Sequence, residues 1–374
     1  MLLRLLFLFI SCFAYSFSLP SWATDIRVNL GKFSNPEIHG TDLYADEMPT
    51  NSSELRMGCS EAPNGEQIIL AGNGKKFTSP TTIESHGGFI FLNNKSYRGQ
   101  ITIYAEKEDC IAINTVDTEK YVAGLINKEM LPSWPLEALK AQAVASRTYA
   151  LYQKEQNKNK IYDVENSTQD QVYDGADSET PKSNMAATST QKTILSWRGK
   201  PIKAFYHANC GGQTESPEAV WGYNYGYFKP VICPFHSKPQ DQNKWSLNIS
   251  VDVLDRTLRK ISGILPRNFS RVAAVEAGSL DGSHRRNSVV VSDVSGNSTK
   301  ISSNTFRNLV GNTKIKSTDF DIKKNGAGLF FTGVGNGHGV GMCQVGVKVM
   351  ALQGKKFRDI LKYYYPLAKL STVK

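Results

Sequence analysis

Residues 126–151 read INKEMLPSWPLEALKAQAVASRTYAL. This stretch predicts the end of one helix, a turn that carries an aromatic residue between two prolines, and the start of a second helix. Asp117 or Thr118 can cap the first helix, which we expect to end near Glu129. The predicted fold is therefore built outward from two helices joined by a short turn.

Glu129 ends an apolar stripe on the first helix, because Val122, Leu125 and Ile126 precede it with the spacing of one helix face. Partial desolvation and the negative end of the helix dipole both raise the pKa of a carboxyl at this place. A carboxyl that keeps its proton is suited to general acid catalysis. The alternative is that the helix end is open and Glu129 points to water.

The second helix carries two basic residues on one stripe. Ser133 can cap it, with Pro135 in its first turn, and we expect it to run to about Gln156. Lys140 and Arg147 lie two turns apart, where they would line a groove and donate hydrogen bonds to acetamido, hydroxyl or carboxylate groups of a sugar. The alternative is that both side chains are solvated.

Short apolar or alternating runs separated by Asn and Gly turns predict strands in the first third of the chain. Residues 36–66 are polar there and predict a long loop or small insertion. Strand patterns return from residue 193 to 206 and from 244 to 322, with a short helix at 304–310. The clearest strand runs of the first third are residues 26–30, 67–71, 88–92 and 100–104.

The fold class predicted from these patterns is α+β: a mixed, β-rich body with a two-helix catalytic insertion. A Gly-rich turn at 330–341 leads into C-terminal helices at 342–353 and 357–364. We expect a variable β-rich region at 24–95 and a catalytic region at 96–374. A polar segment at about 157–190 within the latter predicts an excursion on the surface.

The first residues resemble a secretory signal peptide, with Arg4 before an apolar run and a small-residue cleavage site near Ala23. Lipidation at Cys12 is the alternative. We therefore expect an exported protein, in the periplasm or cell-wall space, with no transmembrane segment in the mature chain. The net charge of +10 suits an anionic polymer such as wall glycan, and export argues against nucleic acid as the partner.

Cysteine and histidine spacing points to a metal site. His207 and Cys210 form an H-x2-C pair, and Cys233 and His236 form the mirrored C-x2-H pair, which together make a tetrahedral zinc set. A Cys210–Cys233 disulfide and unrelated side chains are the alternatives. A Cys59–Cys110 bridge fits the first region, although sequence does not fix the pairing.

Two further segments have the composition of a binding site. Residues 221–228 are rich in aromatics, including Tyr225 and Tyr227, which would form either a sugar-binding platform or a core cluster. The glycine-rich residues 333–344 do not match a nucleotide-binding fingerprint, so no nucleotide cofactor is expected. Within them, His338 is expected to hydrogen-bond to the turn, with catalysis as the alternative.

Three blocks, residues 129–149, 206–222 and 337–366, together resemble the SpoIID/LytB family, the sporulation stage II protein D-like peptidoglycan lytic transglycosylases. The resemblance implies cleavage of the β-1,4 bond between N-acetylmuramic acid and N-acetylglucosamine in glycan strands stripped of stem peptides. It implies that Glu129 is the catalytic acid and base. The family's supporting basic residues map onto Lys140 and Arg147. The other residues that we expect to bind substrate are Gln142, Tyr149, Tyr225, Tyr227, His338 and Gln344.

The resemblance also implies a zinc ion held by His and Cys ligands, and His207, Cys210 and Cys233 fall in the corresponding blocks. The fourth ligand is open, because the chain has His236 where the family pattern has a cysteine. Cys343 stands where serine is usual. Two other hypotheses are a non-catalytic activator that binds glycan and docks onto a cell-wall amidase, and a zinc hydrolase.

Overall fold

The structure is a computed structural model of the 374-residue chain. It describes residues 25–72, 74–168, 170–235, 243–326 and 328–373. The predicted signal peptide, Cys12 and the predicted zinc ligand His236 lie outside these residues.

The strands are short, and most carry one buried and one exposed face. They are β1 (Asp25–Phe33), β2 (Glu37–Gly40), β3 (Leu43–Ala45), β4 (Met48–Pro49), β5 (Glu54–Glu61), β6 (Gln67–Ala71), β7 (Lys76–Thr78), β8 (Thr81–Ser85), β9 (Ile90–Leu92), β10 (Lys95–Tyr97), β11 (Gln100–Glu106), β12 (Asp109–Asp117), β13 (Val164–Glu165), β14 (Thr193–Trp197), β15 (Lys200–Pro201), β16 (Tyr206–His207), β17 (Trp245–Ser250), β18 (Val272–Ala277), β19 (Ser288–Asp293), β20 (Ser298–Ser302), β21 (Phe320–Asn325), β22 (Gly328–Gly333), β23 (Met342–Cys343) and β24 (Lys369–Thr372).

The helices lie between groups of strands rather than alternating with single ones, as expected for an α+β fold. Among the described residues they are α1 (Thr118–Glu129), α2 (Leu136–Gln156), α3 (Pro181–Thr188), α4 (Pro217–Trp221), α5 (Val251–Arg259), α6 (Ser303–Val310), α7 (Gln344–Leu352) and α8 (Phe357–Tyr364), and a 3-10 turn spans Gly175–Ser178. The predicted α+β class is confirmed. None of the helices in the described part of the chain combines the length and apolar character that a membrane crossing requires.

The strands of the N-terminal third lie in two sheets, one of which also includes β13. One has the order β13-β1-β12-β11-β8-β3-β4, and the other β10-β9-β2-β5-β6-β7. A Cys59–Cys110 disulfide joins β5 to β12, so the pairing considered from sequence is present. The first sheet continues beyond residue 95, because β11 and β12 pair with each other and with β8 and β1.

The prediction of a loop or insertion at 36–66 is wrong, since this segment contains β2, β3, β4 and β5. On β5, Leu55, Met57 and Cys59 point inward at every second position. Tight turns of polar residues with positive φ, such as Asp46 and Asn51, separate these strands. The polar composition of the turns hid the alternation of the short strands between them.

The paired helices form as predicted, except where the second begins. Asp117 caps α1 by accepting hydrogen bonds from two backbone N–H groups of the first turn, and α1 ends at Glu129. The α2 helix begins at Leu136 after Pro135, without a side-chain cap, so the predicted role of Ser133 is wrong. The apolar core reaches both helices because alanines on α2 permit close packing.

A second hydrophobic core lies between Trp245 and Phe331, where α5 and α6 cover β17–β22. The Gly-rich segment after β22 carries the chain from this core to β23 and α7, which belong to the first core. It therefore joins the two cores beside the end of β16, which pairs with β23.

Candidate active site at the end of helix α1

The Glu129 side chain lies at the end of α1, partly buried, with three hydrogen-bond donors on it. The Val172 N–H donates to Oε1 at 3.2 Å, and the side chains of Tyr206 and Gln344 also hydrogen-bond to the carboxyl. Burial raises the pKa of Glu129, and the three hydrogen bonds oppose that rise without cancelling it. The carboxyl is thus held in one orientation and retains its proton to higher pH than an exposed glutamate.

Buried polar side chains fix the donors in turn. Gln171 Nε2 donates to the Tyr206 hydroxyl at 3.1 Å, and the Tyr121 hydroxyl donates to Gln171 Oε1 at 3.0 Å. Gln344 Nε2 also donates to Gln142 Oε1 at 3.3 Å. Such a connected network holds the groups around the Glu129 carboxyl in fixed orientations.

Aromatic rings cluster around Phe205. Phe205, which precedes Tyr206, has its ring centroid 4.6 Å from that of Trp221 and 5.9 Å from that of Tyr225. We call Phe205, Trp221, Tyr225 and Phe228 the aromatic wall, since all four are only partly buried and contact one another. Rings of this kind pack against the apolar faces of sugars.

His338 lies between the aromatic wall and His207. Its ring centroid is 5.0 Å from that of Trp221, and its Nδ1 accepts a hydrogen bond from the Val340 N–H at 3.0 Å. Desolvation, together with nearby cationic groups, lowers its pKa well below the usual range. A neutral His338 that bonds within its own turn agrees with the structural role expected from sequence.

The two tyrosines at the edge of the site are used internally. The Tyr149 hydroxyl donates to Asp170 Oδ1 at 2.7 Å, and the Tyr227 hydroxyl accepts the Lys203 N–H at 3.0 Å. Both rings are almost fully buried. Of the residues predicted to bind substrate, Gln142, Gln344, Tyr225 and His338 lie in the site. Tyr149 and Tyr227 are instead buried, and their hydroxyls bond other protein groups.

Lys140 and Arg147 are not brought together with Glu129. Lys140 Nζ bonds Glu137 Oε1 at 3.0 Å. Arg147 is 1% exposed, and it bonds the Glu119 carboxylate and the carbonyls of Ala187 and Thr193. The expectation that Arg147 lines an open groove is thereby corrected, because its guanidinium connects α2 to α1, to the end of α3 and to the start of β14.

Three candidate metal ligands converge behind the site. His207 Nε2 or Nδ1, Cys210 Sγ and Cys343 Sγ lie within 4.8 Å of one another, and all three residues are buried. His207 Nδ1 hydrogen-bonds the Val340 carbonyl at 3.0 Å, which leaves Nε2 as a buried nitrogen without a hydrogen-bond partner among the described residues. This is the arrangement by which a protein presents a histidine to a metal.

Cys233 adjoins the same cluster. Its thiol is hydrogen-bonded with Cys210 and Cys343 and lies 3.1 Å from the Tyr364 hydroxyl oxygen. No disulfide joins Cys210 to Cys233 in the structure. One histidine and three thiols form a donor set that fits tetrahedral zinc.

Sequence reasoning missed several residues of the site. Gln171 and Val172 lie in the polar segment 157–190, which is not confined to the surface, because Asp163 and Tyr173 are also buried. Tyr206 falls within one of the blocks that resemble the family, but no sequence pattern marks it as a donor to Glu129. The one signal available was its place beside His207, since a short strand that presents a metal ligand on one side presents its neighbour on the other.

Glycine is required where the turn after β22 meets β16. A Cβ on Gly341 would lie 2.0 Å from the Phe205 carbonyl oxygen, and one on Gly337 would lie 2.7 Å from His207 Cβ. Both residues also have positive φ. The glycine-rich turn therefore permits close packing against the strand that carries Tyr206 and His207.

Comparison with known proteins places this site in a family context. Residues 106–197 match the family described as SpoIID, Stage II sporulation protein. An uncharacterised protein of Brachyspira hyodysenteriae is 37% identical over 286 residues, 75% of this chain and 74% of that protein. Stage II sporulation protein D of Bacillus subtilis is 30% identical over 277 residues, 70% of this chain and 76% of that protein. The amidase enhancer of Bacillus subtilis is 31% identical over 292 residues, 67% of this chain and 40% of that protein.

Proposed function

This chain belongs to the Stage II sporulation protein D (SpoIID) family, and from that premise we propose that it is an exported lytic transglycosylase. Its substrate is the β-1,4 bond between N-acetylmuramic acid and N-acetylglucosamine in glycan strands without stem peptides. The observation that carries the proposal is the Glu129 carboxyl, which has a raised pKa and is held by three donors. One of these donors, Tyr206, directly follows Phe205 of the aromatic wall.

One carboxyl serves as acid and then as base. Glu129 donates its proton to the glycosidic oxygen as the bond from that oxygen to C1 of the muramoyl residue breaks, and positive charge develops at C1. The Glu129 carboxylate then takes the proton from the 6-hydroxyl as O6 bonds to C1. The proton balance closes on Glu129, and the product carries a 1,6-anhydromuramoyl end. No water is consumed.

Neighbouring carboxylates are engaged elsewhere, which supports a reaction with one acid. Asp170 accepts hydrogen bonds from Tyr149, Gln153 and the Glu165 N–H. Glu119 is bound by Arg147. A hydrolase that uses water would require a second carboxylate placed to bind it, and an intramolecular attack by the 6-hydroxyl does not.

We also propose that His207, Cys210, Cys233 and Cys343 hold a structural zinc ion, with Cys343 in place of the sequence-predicted His236. Bound zinc would supply no reacting group here, because four protein ligands leave it no open position. Its effect would be to tie β16, which carries Tyr206, to β23. Metal analysis of the purified chain should find about one zinc per chain, lowered in Cys343→Ala, and an unchanged content in that variant would overturn this ligand set.

A second function is favoured by the similarity to an amidase enhancer. In this alternative the protein binds glycan and activates a cell-wall amidase without cleaving the strand. The same aromatic wall would serve, and Glu129 would contribute only hydrogen bonds.

Glu129→Gln separates the two functions, since it keeps the shape of the side chain and removes the acid. Purified wild type should convert peptide-stripped strands to products with anhydromuramoyl ends, detected by mass spectrometry, and Glu129→Gln should not. Glu137→Gln, at an ion-paired glutamate of α2, is the matched control and should retain cleavage. If neither wild type nor the variant cleaves and both enhance an amidase, the activator function replaces the enzyme.

A further inference from the structure

Lys203 is a basic residue on the aromatic wall. Its Nζ lies 5.3 Å from the ring centroid of Phe205 and 5.8 Å from that of Tyr152. It forms no ion pair or side-chain hydrogen bond among the described residues, and its charge interacts with Asp170 at longer range. Burial partly desolvates the ammonium and thereby lowers its pKa, so an added anion would stabilise the charged form.

The position of Lys203 is tied to the reacting carboxyl by short steps along the chain. Phe205 and Tyr206 follow it, and the Tyr206 hydroxyl bonds Glu129. On the other side, Asp170 precedes Gln171, which bonds Tyr206. Lys203 therefore lies over Phe205 of the aromatic wall, and its neighbours Tyr206 and Asp170 belong to or adjoin the hydrogen-bond network around Glu129.

The cations expected from sequence to meet the sugar have other partners. Arg147 is buried against Glu119, and Lys140 is paired with Glu137. Lys203 remains as a cation with an aromatic surface beneath it and an open side, since its residue is only partly buried. Such a site favours an anion attached to an apolar body.

We propose that Lys203 binds the free lactyl carboxylate of a peptide-stripped muramoyl residue lying on the aromatic wall. This inference rests on the proposed function and deepens it. In strands that still carry stem peptides the lactyl carboxyl is an amide, which is neutral and bulky. Hydrolysis of that amide exposes the carboxylate, so the reaction that supplies this substrate is an amide hydrolysis, and Lys203 recognises its product.

The test changes the residue and the substrate together. Peptide-stripped strands are compared with the same strands after their lactyl carboxylates have been coupled to methylamine. Wild type should cleave the native strands about tenfold better in kcat/KM, chiefly through KM, as expected for one charge-assisted hydrogen bond. Lys203→Met should lower kcat/KM for the native strands to the value for the amide-coupled strands. It should leave kcat/KM for the amide-coupled strands unchanged.

Two variants control the result. Lys200→Met removes the same charge from an exposed site on β15 and should keep the preference for the carboxylate. Lys203→Arg should restore part of it. Equal cleavage of both substrates by wild type, or a preference that survives in Lys203→Met, would overturn the inference.

Binding to Glu129→Gln distinguishes this inference from the proposed reaction. Suppose that wild type does not cleave, but that Glu129→Gln binds the carboxylate strands more tightly than the amide-coupled strands and loses this preference when Lys203→Met is added. Recognition by Lys203 then stands, and the proposed reaction fails. If wild type cleaves both kinds of strand equally, the reaction stands and recognition by Lys203 fails.

Discussion

The pKa of Glu129 is set by two opposing effects that can be separated at single residues. Burial favours the neutral acid, whereas the Val172 N–H, Tyr206 and Gln344 favour the carboxylate. The effect of burial on the pKa exceeds that of the hydrogen bonds, so the folded protein holds this proton more tightly than the unfolded chain. This carboxyl therefore costs stability as pH rises above the unfolded pKa, and the cost is complete above the folded pKa.

Tyr206→Phe removes one donor and should raise the pKa of Glu129 further. The activity of a general acid falls as pH rises through its pKa, so we expect this alkaline limb of the pH–rate profile to move up by about one pH unit. Tyr225→Phe, which removes a hydroxyl from the aromatic wall, should leave the limb in place. A downward shift in Tyr206→Phe would contradict the assignment of the donor.

Among the secondary-structure elements, helix α2 is fixed to its neighbours by the buried Arg147, whose role is structural rather than substrate binding. The Arg147 guanidinium joins α1, through Glu119, to the carbonyls of Ala187 and Thr193. A buried cation with several partners is strongly destabilising to remove, because each partner is left without its donor.

Arg147→Met should lower the free energy of unfolding by about 2–4 kcal/mol, measured by urea denaturation. At a temperature where the variant is folded, KM for glycan should stay within about twofold of wild type. Lys158→Met, which removes an exposed ion pair with Glu155 at the end of α2, should change the free energy of unfolding by less than about 1 kcal/mol. Unchanged stability with a large rise in KM would show that Arg147 binds substrate.

In the whole molecule, the candidate site lies where the first hydrophobic core meets the glycine-rich turn. This turn connects the second core to the first. Arg285, in the loop between β18 and β19, donates to the Cys210 carbonyl at 2.9 Å, and Ser283 of the same loop donates to Glu215 beside the glycine-rich turn. The disulfide between β5 and β12 lies elsewhere, in the N-terminal sheets. Stability and activity should therefore respond differently to changes in the two places.

Removal of the disulfide should destabilise the chain and spare the reaction. The Cys59→Ser, Cys110→Ser double variant releases a loop closed over 51 residues, and we expect a loss of about 2–4 kcal/mol in the free energy of unfolding. Its kcat on peptide-stripped strands at low temperature should match wild type. A lost kcat in the folded variant would mean that the N-terminal sheets help to form the site.

The local features of this architecture could be predicted from sequence, and the long-range ones could not. The spacing around Glu129 and the cap at Asp117 are short-range patterns, so α1 and the position of Glu129 at its end could be predicted. Tyr206 and Gln171 meet Glu129 only in the folded chain, and no local period marks them. Cys343 lies far from His207 in sequence, and only the pairing of β16 with β23 makes it a neighbour.

A direct titration of Glu129 tests the central claim most closely. With carbon-13 in the glutamate side-chain carboxyls, the Glu129 signal is the one that Glu129→Gln lacks, and its chemical shift can be followed against pH. We predict a midpoint clearly above the usual glutamate value of about 4.3, and a further rise in Tyr206→Phe. A midpoint at or below that value would contradict the claim that this carboxyl is held as an acid.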